Sequence, residues 1–155
     1  MTAKNGSAMK GWRMAMRTGV AAAALLLATG CMMMGNGHPR PADSEFGMGP
    51  RTSAGGRYQA TLESPDPLRV RRMHAVRLTV RTADQRPVEG ATITVDGGMP
   101  QHGHGLPTQP RVTRALGGGT YQVEGLKFNM GGWWEVKFRI ASAAGTDSVT
   151  FNLDL

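Results

Sequence analysis

Apolar and polar residues alternate in short runs from Tyr58 to the C-terminus, and turn-forming residues separate the runs. In the clearest run, Trp134 and every second residue after it as far as Ile140 are apolar. A period of two is typical of a β-strand with one buried face, so we expect Trp134 to be buried and Trp133 exposed. Runs of this kind predict seven strands, at residues 57–63, 74–81, 88–95, 111–116, 120–124, 133–140 and 148–155.

This strand pattern also indicates a fold class. Short strands at regular spacing, with no convincing helical period, predict an all-β protein, an immunoglobulin-like antiparallel β-sandwich of about seven strands. The three glycines at 117–119 lie between two predicted strands and favour a hairpin there. The sequence lacks the Cys–Trp–Cys pattern of antibody domains, so the architecture is predicted but the strand order is left open.

The first 30 residues have a different composition. An apolar run over residues 20–28 follows four basic residues and no acidic one, which predicts a secretory signal peptide over 1–30. The run is too short to cross about 30 Å of hydrocarbon as a helix. Its end, Leu27-Ala-Thr-Gly-Cys31, resembles a bacterial lipobox, and the resemblance implies that Cys31 is lipidated and becomes the mature N-terminus. A buried apolar helix is the alternative interpretation.

The lipobox implies a location in the cell envelope, with a lipid anchor in the membrane and the domain facing the periplasm or the exterior. Met32 stands where an aspartate often signals retention in the inner membrane, so the outer membrane is favoured. Cys31 is the single cysteine, so the mature domain has no internal disulfide. We expect a hydrophobic core to stabilise it.

Removal of the signal changes the charge of the protein. The chain has 18 basic and 11 acidic residues, and the signal carries four of the basic ones, which leaves a balance of +3. The remaining arginines alternate with apolar residues instead of forming a block, as on solvated strand faces. We therefore expect no nucleic-acid partner.

Residues 31–55 are rich in Gly, Pro, Ser and Met and predict a flexible tether, followed by one domain over 56–155. Soft-metal donors occur in the tether, but a solvated linker is the favoured interpretation of these residues: Met32, Met33, Met34, His38 and Met48. A catalytic site is not expected in the domain. Once Cys31 is acylated no free thiol is left, no nucleophile elbow is present, and the carboxylates are scattered without a paired motif.

The segment 97–110 lacks the alternation that is typical of a β-strand, and it contains the candidate metal ligands. It places Met99, His102 and His104 within six positions among glycines and prolines, and Met130 lies in a second turn. Imidazole nitrogens and thioether sulfurs are copper ligands, and the His-x-His spacing lets both rings reach one ion. In the alternative interpretation the histidines hydrogen-bond to the backbone and the methionines fill gaps in the core.

Four stretches carry a resemblance to a known family: Pro87–Val95, Met99–Gly105, Gly119–Tyr121 and Met130–Val136. With their Met-Pro-x-x-x-His, Gly-x-Tyr and Met-x-Gly-x-Trp patterns, residues 70–155 resemble the YtkA-like domain, which is related to the FixH type. The resemblance implies a small exported β-sandwich associated with copper handling or haem–copper oxidase assembly. It also implies a copper site at Met99, His102, His104 and Met130.

Together, these observations predict a lipid-anchored module that binds copper through a Met/His loop, for metal handling or oxidase assembly. Its expected partners are the membrane and an envelope cuproprotein or oxidase. The alternative is a metal-free accessory domain that uses the same loop for protein–protein contacts.

Overall fold

The computed structural model describes residues 38–155. The predicted signal peptide, the lipidation site Cys31 and the start of the tether lie outside the described residues. Within residues 38–155 the chain forms a short 3-10 helix, Asp43–Glu45, and nine strands. These are β1 (Arg51–Thr52), β2 (Tyr58–Glu63), β3 (Met73–Thr82), β4 (Thr92–Met99), β5 (His104–Gly105), β6 (Arg111–Gly117), β7 (Thr120–Lys127), β8 (Trp133–Ser142) and β9 (Gly145–Asp154).

The strands pair antiparallel in the order β1-β2-β3-β7-β6-β4-β8-β9, and β5 pairs with β4 off this path. The sheet curls until its two edges approach each other. The Ala54 amide beside β1 donates to the Ser148 carbonyl in β9 at 2.8 Å. The result is a nearly closed, barrel-like sandwich, and the predicted all-β antiparallel fold is confirmed. The two strands beyond the predicted seven have two residues each.

The inward face of each strand forms one hydrophobic core. Trp134 and the alternate residues that follow it in β8 are buried, as the alternation predicts. Trp133 is buried as well, with 3% of its surface exposed, so the prediction that it is exposed is wrong. Phe46 packs against Trp133, with the ring centroids 6.4 Å apart. Trp133 Nε1 donates to Asn152 Oδ1 at 3.0 Å. The N-terminal segment thus adds a second apolar layer on the outer face of β8.

The strand predicted at 88–95 lies four residues later, at Thr92–Met99. The Tyr121 hydroxyl explains the shift, because it donates to the Val88 carbonyl at 2.7 Å and accepts from the Ala91 amide at 3.0 Å. These two bonds hold residues 88–91 in an irregular segment. Pairing with β8 and β5 extends β4 to Met99, which places the first candidate metal ligand at the end of a strand.

Residues N-terminal to 56 also pack on the sheet. Arg40 forms an ion pair with Asp154 at 2.7 Å, and its guanidinium lies 4.3 Å from the Phe46 ring centroid. β1 adds a short edge strand to β2. The folded part of the chain therefore begins before residue 56, the boundary expected from composition, because Phe46 and Arg40 have partners on distant strands.

The antiparallel order gives the sandwich two ends. One end, here called the imidazole end, consists of the segments 64–72, 100–103 and 128–132 and the C-terminus. The other, here called the opposite end, consists of the segments 53–57, 83–91, 117–119 and 143–144. Within the described residues no helix has the length and apolar character needed to cross a membrane.

Candidate functional site

A tight hairpin carries the two candidate histidines. β4 ends at Met99, which pairs with His104 of β5, and the turn between them has four residues. The His102 amide donates to the Met99 carbonyl at 3.0 Å, which closes a β-turn with Pro100 at its second position. Gly103 follows in the left-handed region, with φ +63°, and returns the chain to the strand. The turn residues thus fix the backbone around both imidazoles.

Close approach of three strands explains the glycines that precede the turn. A Cβ on Gly97 would overlap the Glu135 carbonyl oxygen of β8, and a Cβ on Gly98 would overlap the His104 carbonyl oxygen. Only glycine allows β4 to lie this close to both neighbours at once. The base of the hairpin therefore lies close against β8.

The two candidate imidazoles are exposed neighbours. The ring centroids of His102 and His104 are 6.2 Å apart, and the ring planes are inclined by 42°. A metal–imidazole nitrogen bond is about 2 Å long, so two such bonds and the ring radii span a comparable distance. The rings therefore lie within reach of a single ion.

The two candidate methionines differ in accessibility. Met99 is 2% exposed, and its methyl group lies 3.2 Å from the Cβ position of Gly132, so it fills the core beneath the second turn. Met130 in that turn is 42% exposed. Trp134 Nε1 donates to the Met130 carbonyl at 2.9 Å and holds the turn beside β8. The structure thus brings the two predicted turns together, and of the two methionines only Met130 is exposed.

A groove of about 390 Å³ beside the hairpin contains residues that sequence reasoning did not assign to the site. His38, Asp96 and Glu135 line it together with His104. The Asp96 carboxylate accepts from the Gly97 amide at 2.7 Å, and the Glu135 carboxylate pairs with Lys137 at 2.6 Å. The β4–β8 register brings these carboxylates to one groove, and no local pattern in the sequence contains that register.

The donor set is suited to copper but incomplete. Within residues 38–155, no three or more of the side chains of His, Cys, Asp and Glu are close enough together to enclose a metal ion. Two imidazoles and one accessible thioether are the ligands that the imidazole end offers, and both types suit copper ions. An ion held there would keep open coordination positions for another molecule.

His74, the other histidine of the sheet, has a structural environment. Its Nε2 lies 2.8 Å from the Arg69 carbonyl oxygen, and its ring is 6.2 Å from that of Phe128. These contacts tie the 64–72 segment to the core. The imidazole of His74 is therefore engaged by its own loop.

The carboxylate with the largest pKa shift, that of Asp147, lies at the opposite end. Asp147 accepts from the Ser53 hydroxyl at 2.7 Å and from the amides of Gly55, Arg57 and Ser148 at 3.0, 3.2 and 2.8 Å. The Ser53 hydrogen bond, supported by the three amides, lowers the pKa of Asp147 from 3.8 to about 2. Because the bonds from Ser53, Gly55 and Arg57 hold the 53–57 loop in place, Asp147 stabilises the fold rather than forming part of the candidate site.

Comparison with known proteins identifies the family. No curated protein and no solved structure gives a significant match to the chain. A family model described as YtkA-like matches residues 52–139, more than half of the 155 residues. The match includes the hairpin with His102 and His104 and the turn with Met130. It starts earlier and ends earlier in the chain than residues 70–155, the span expected from the sequence motifs. The chain belongs to the YtkA-like family.

Proposed function

We propose that this protein is a lipid-anchored envelope module that binds copper at the imidazole end and exchanges it with an envelope cuproprotein or an oxidase under assembly. Membership of the YtkA-like family indicates an accessory envelope module. The observation that supports copper is the pair of exposed imidazoles, 6.2 Å apart on a turn whose backbone is fixed. The accessible sulfur of Met130 supplies a third donor on the neighbouring turn.

The exposure of the ligands favours exchange over storage. A storage or structural site usually encloses its ion with a complete ligand set, as structural zinc sites do with four ligands. Here the imidazoles are exposed and the described residues give no third nitrogen or oxygen ligand within reach. A partner can therefore approach the ion directly and supply the remaining ligands.

Copper in its two oxidation states would use this donor set differently. Imidazole suits Cu(II), whereas thioether sulfur selects Cu(I). His102 and His104 would accordingly dominate Cu(II) binding, and Met130 would add most to Cu(I) binding. Met99 supports the turn from within the core. Because a metal binds neutral imidazole, affinity should fall when the solution is made acidic.

The test is titration of the full chain in detergent micelles with Cu(II) and, under reducing conditions, with Cu(I). His102→Ala combined with His104→Ala should abolish the tighter Cu(II) binding, whereas Gln101→Ala in the same turn should leave it unchanged. Met130→Leu should weaken Cu(I) binding relative to Met48→Leu, which changes another exposed methionine. Equal and weak binding by the wild type and the double variant would reject copper binding at this end.

The lipid anchor is tested separately. Cys31→Ser should release the protein from membranes or leave it unprocessed. Wild-type protein that fractionates wholly as a soluble species would reject the anchor.

The second candidate function is a metal-free accessory domain that contacts an envelope protein through the same hairpin. The observation that favours it is the lack, among the described residues, of a group of three nitrogen or oxygen side chains that could enclose an ion. It takes first place if the copper titration shows no difference between the wild type and the double histidine variant.

A further inference from the structure

We infer that the imidazole end also carries a surface that lies on an anionic membrane. The surface, here called the basic-apolar patch, consists of Arg69, Val70, Arg71, Arg72, Met73 and Lys127. It is continuous, because Met73 pairs with Lys127 across β3 and β7 and the Arg71 amide donates to the Phe128 carbonyl at 2.6 Å. The inference rests on the lipid anchor of the proposed function but not on copper.

Exposed apolar side chains lie among the basic residues of this patch. Five large hydrophobic residues of the described chain are exposed, and Val70 and Met73 are two of them, with 37% and 61% of their surfaces accessible. Met73 is the most exposed of the five. Unbranched and flexible, methionine adapts to irregular apolar surroundings such as acyl chains. Exposure of these apolar side chains to water contributes no favourable free energy to the fold.

The charge around these side chains suits anionic headgroups. Arg69, Arg71 and Arg72 are all exposed, and Asp66 is the acidic residue of the same 64–72 segment. None of these three arginines takes part in the ion pairs found within residues 38–155. Basic residues surrounding apolar ones are typical of proteins that rest on anionic membranes, where phosphates attract the cations and acyl chains receive the apolar groups.

The backbone of Arg71 presents its side chain from an unusual conformation. Its φ is +63°, in the left-handed region that glycine and asparagine adopt more readily. The bond from its amide to Phe128 holds this conformation. This conformation places the exposed Arg71 beside the exposed Val70 and Arg72.

The position of the anchor brings this end to the bilayer. His38 lines the groove beside His104, so the described chain starts at the imidazole end. Cys31 lies seven residues earlier, and seven residues span at most about 25 Å. Lipid on Cys31 would therefore keep the imidazole end, and not the opposite end, close to the membrane surface. The anchor, the patch charge and the exposed Met73 side chain then act in the same direction.

The test uses the mature lipidated protein in vesicles. Acylation leaves no free thiol, so Met73→Cys provides a single site for a polarity-sensitive fluorophore, and Ala144→Cys provides the matched site at the opposite end. In vesicles of phosphatidylglycerol the label at position 73 should be several-fold more quenched by a lipid-borne nitroxide than the label at position 144. In phosphatidylcholine vesicles the anchor still inserts but the headgroups attract no cations, so this difference should become clearly smaller.

Charge variants complete the test. Arg69→Gln with Arg72→Gln should reduce the docked population at least about tenfold, because each basic residue contributes appreciably at an anionic surface. Arg77→Gln with Arg114→Gln, on the outer face of the sheet, should leave it unchanged. Equal quenching at positions 73 and 144, or the same quenching in both lipids, would overturn the inference. Protein that does not associate with vesicles at all would instead reject the anchor.

Discussion

Both ends of the sandwich consist of turns and loops, but their polar side chains have different surroundings. At the opposite end, polar side chains bond to the backbone of neighbouring loops. Asp147 binds three amides and the Ser53 hydroxyl, and the Tyr58 hydroxyl lies 2.8 Å from that of Ser142. At the imidazole end, His102 and Met130 point into solvent. The contrast indicates that one end stabilises the fold, while the other is free for binding.

Two turn glycines, one at each end, differ in the space around them. Gly119 has φ +75°, and a Cβ there would lie 2.9 Å from the Val88 amide nitrogen and would overlap the Val80 carbonyl oxygen. Its own amide donates to the Glu89 carboxylate at 2.9 Å. By contrast, Gly103 beside the imidazoles has nothing within 4 Å of its Cβ position. Gly119 is therefore packed against the backbone of its neighbours, whereas Gly103 leaves open space beside the imidazoles.

The largest expected effect is that of Gly119→Ala. The new Cβ must displace backbone atoms of two neighbouring segments, so we expect a loss of more than about 3 kcal/mol of unfolding free energy, or failure to fold. Gly118→Ala is the matched control, because its φ is +62° but nothing lies within 4 Å of its Cβ position. It should cost only about 1 kcal/mol in strain. Urea unfolding measures both, and similar small losses would contradict the close packing of this end.

An intermediate effect is expected at Asp147. Asp147→Asn keeps the shape but weakens the charge-assisted bonds, so we expect a loss of about 1–2 kcal/mol at neutral pH, at the lower end because the group is partly solvated. Its folded pKa of about 2 lies below the ordinary 3.8. The stabilisation is therefore fully present above about pH 5 and is lost as the pH falls through 3.8 towards 2.

The pH dependence of unfolding checks this assignment. Wild-type stability should decline between pH 5 and about pH 2 more steeply than that of Asp147→Asn, because the variant has no carboxylate to protonate at this position. Asp66→Asn, which changes an exposed acid at the imidazole end, is the control and should follow the wild type. Parallel curves for the wild type and Asp147→Asn would show that the hydrogen bonds of the Asp147 carboxylate do not stabilise the fold.

The smallest expected effect on stability is that of the double variant His102→Ala/His104→Ala. Both side chains are exposed, and substitutions of exposed residues usually change stability by less than about 0.5 kcal/mol. Thermal unfolding without metal should therefore match that of the wild type. A large loss would mean that the imidazoles hold the hairpin together, as the structural interpretation of these histidines requires.

Local alternation predicts much of this fold because strand faces are a property of neighbouring residues. It identifies the buried face of β8 and the hairpin at 117–119. It fails at Trp133, whose burial depends on Phe46, a residue far away in the sequence. It also misplaces β4, because the Tyr121 hydroxyl engages residues 88–91 from another strand. Such contacts are tertiary, and no local period reveals them.

Some residues of the candidate site can likewise be predicted from local sequence, and others depend on tertiary packing. The sequence alone points to His102 and His104, because two imidazoles on one turn are local. It gives no indication that Met99 is core while Met130 is accessible, since that depends on packing against Gly132. It also cannot place His38 and Glu135 in the groove beside His104, because strand register and the path of the N-terminal segment decide this.

The most direct test of the contrast between the two ends is nuclear magnetic resonance of the full chain in micelles, titrated with Cu(II). Paramagnetic broadening is local, so the account predicts early loss of amide signals from residues 99–104 and 130–132. Signals from 53–57, 83–91 and 117–119 should persist, and His102→Ala/His104→Ala should abolish the early loss. Early broadening at the opposite end, or uniform broadening that the double variant does not change, would contradict the account.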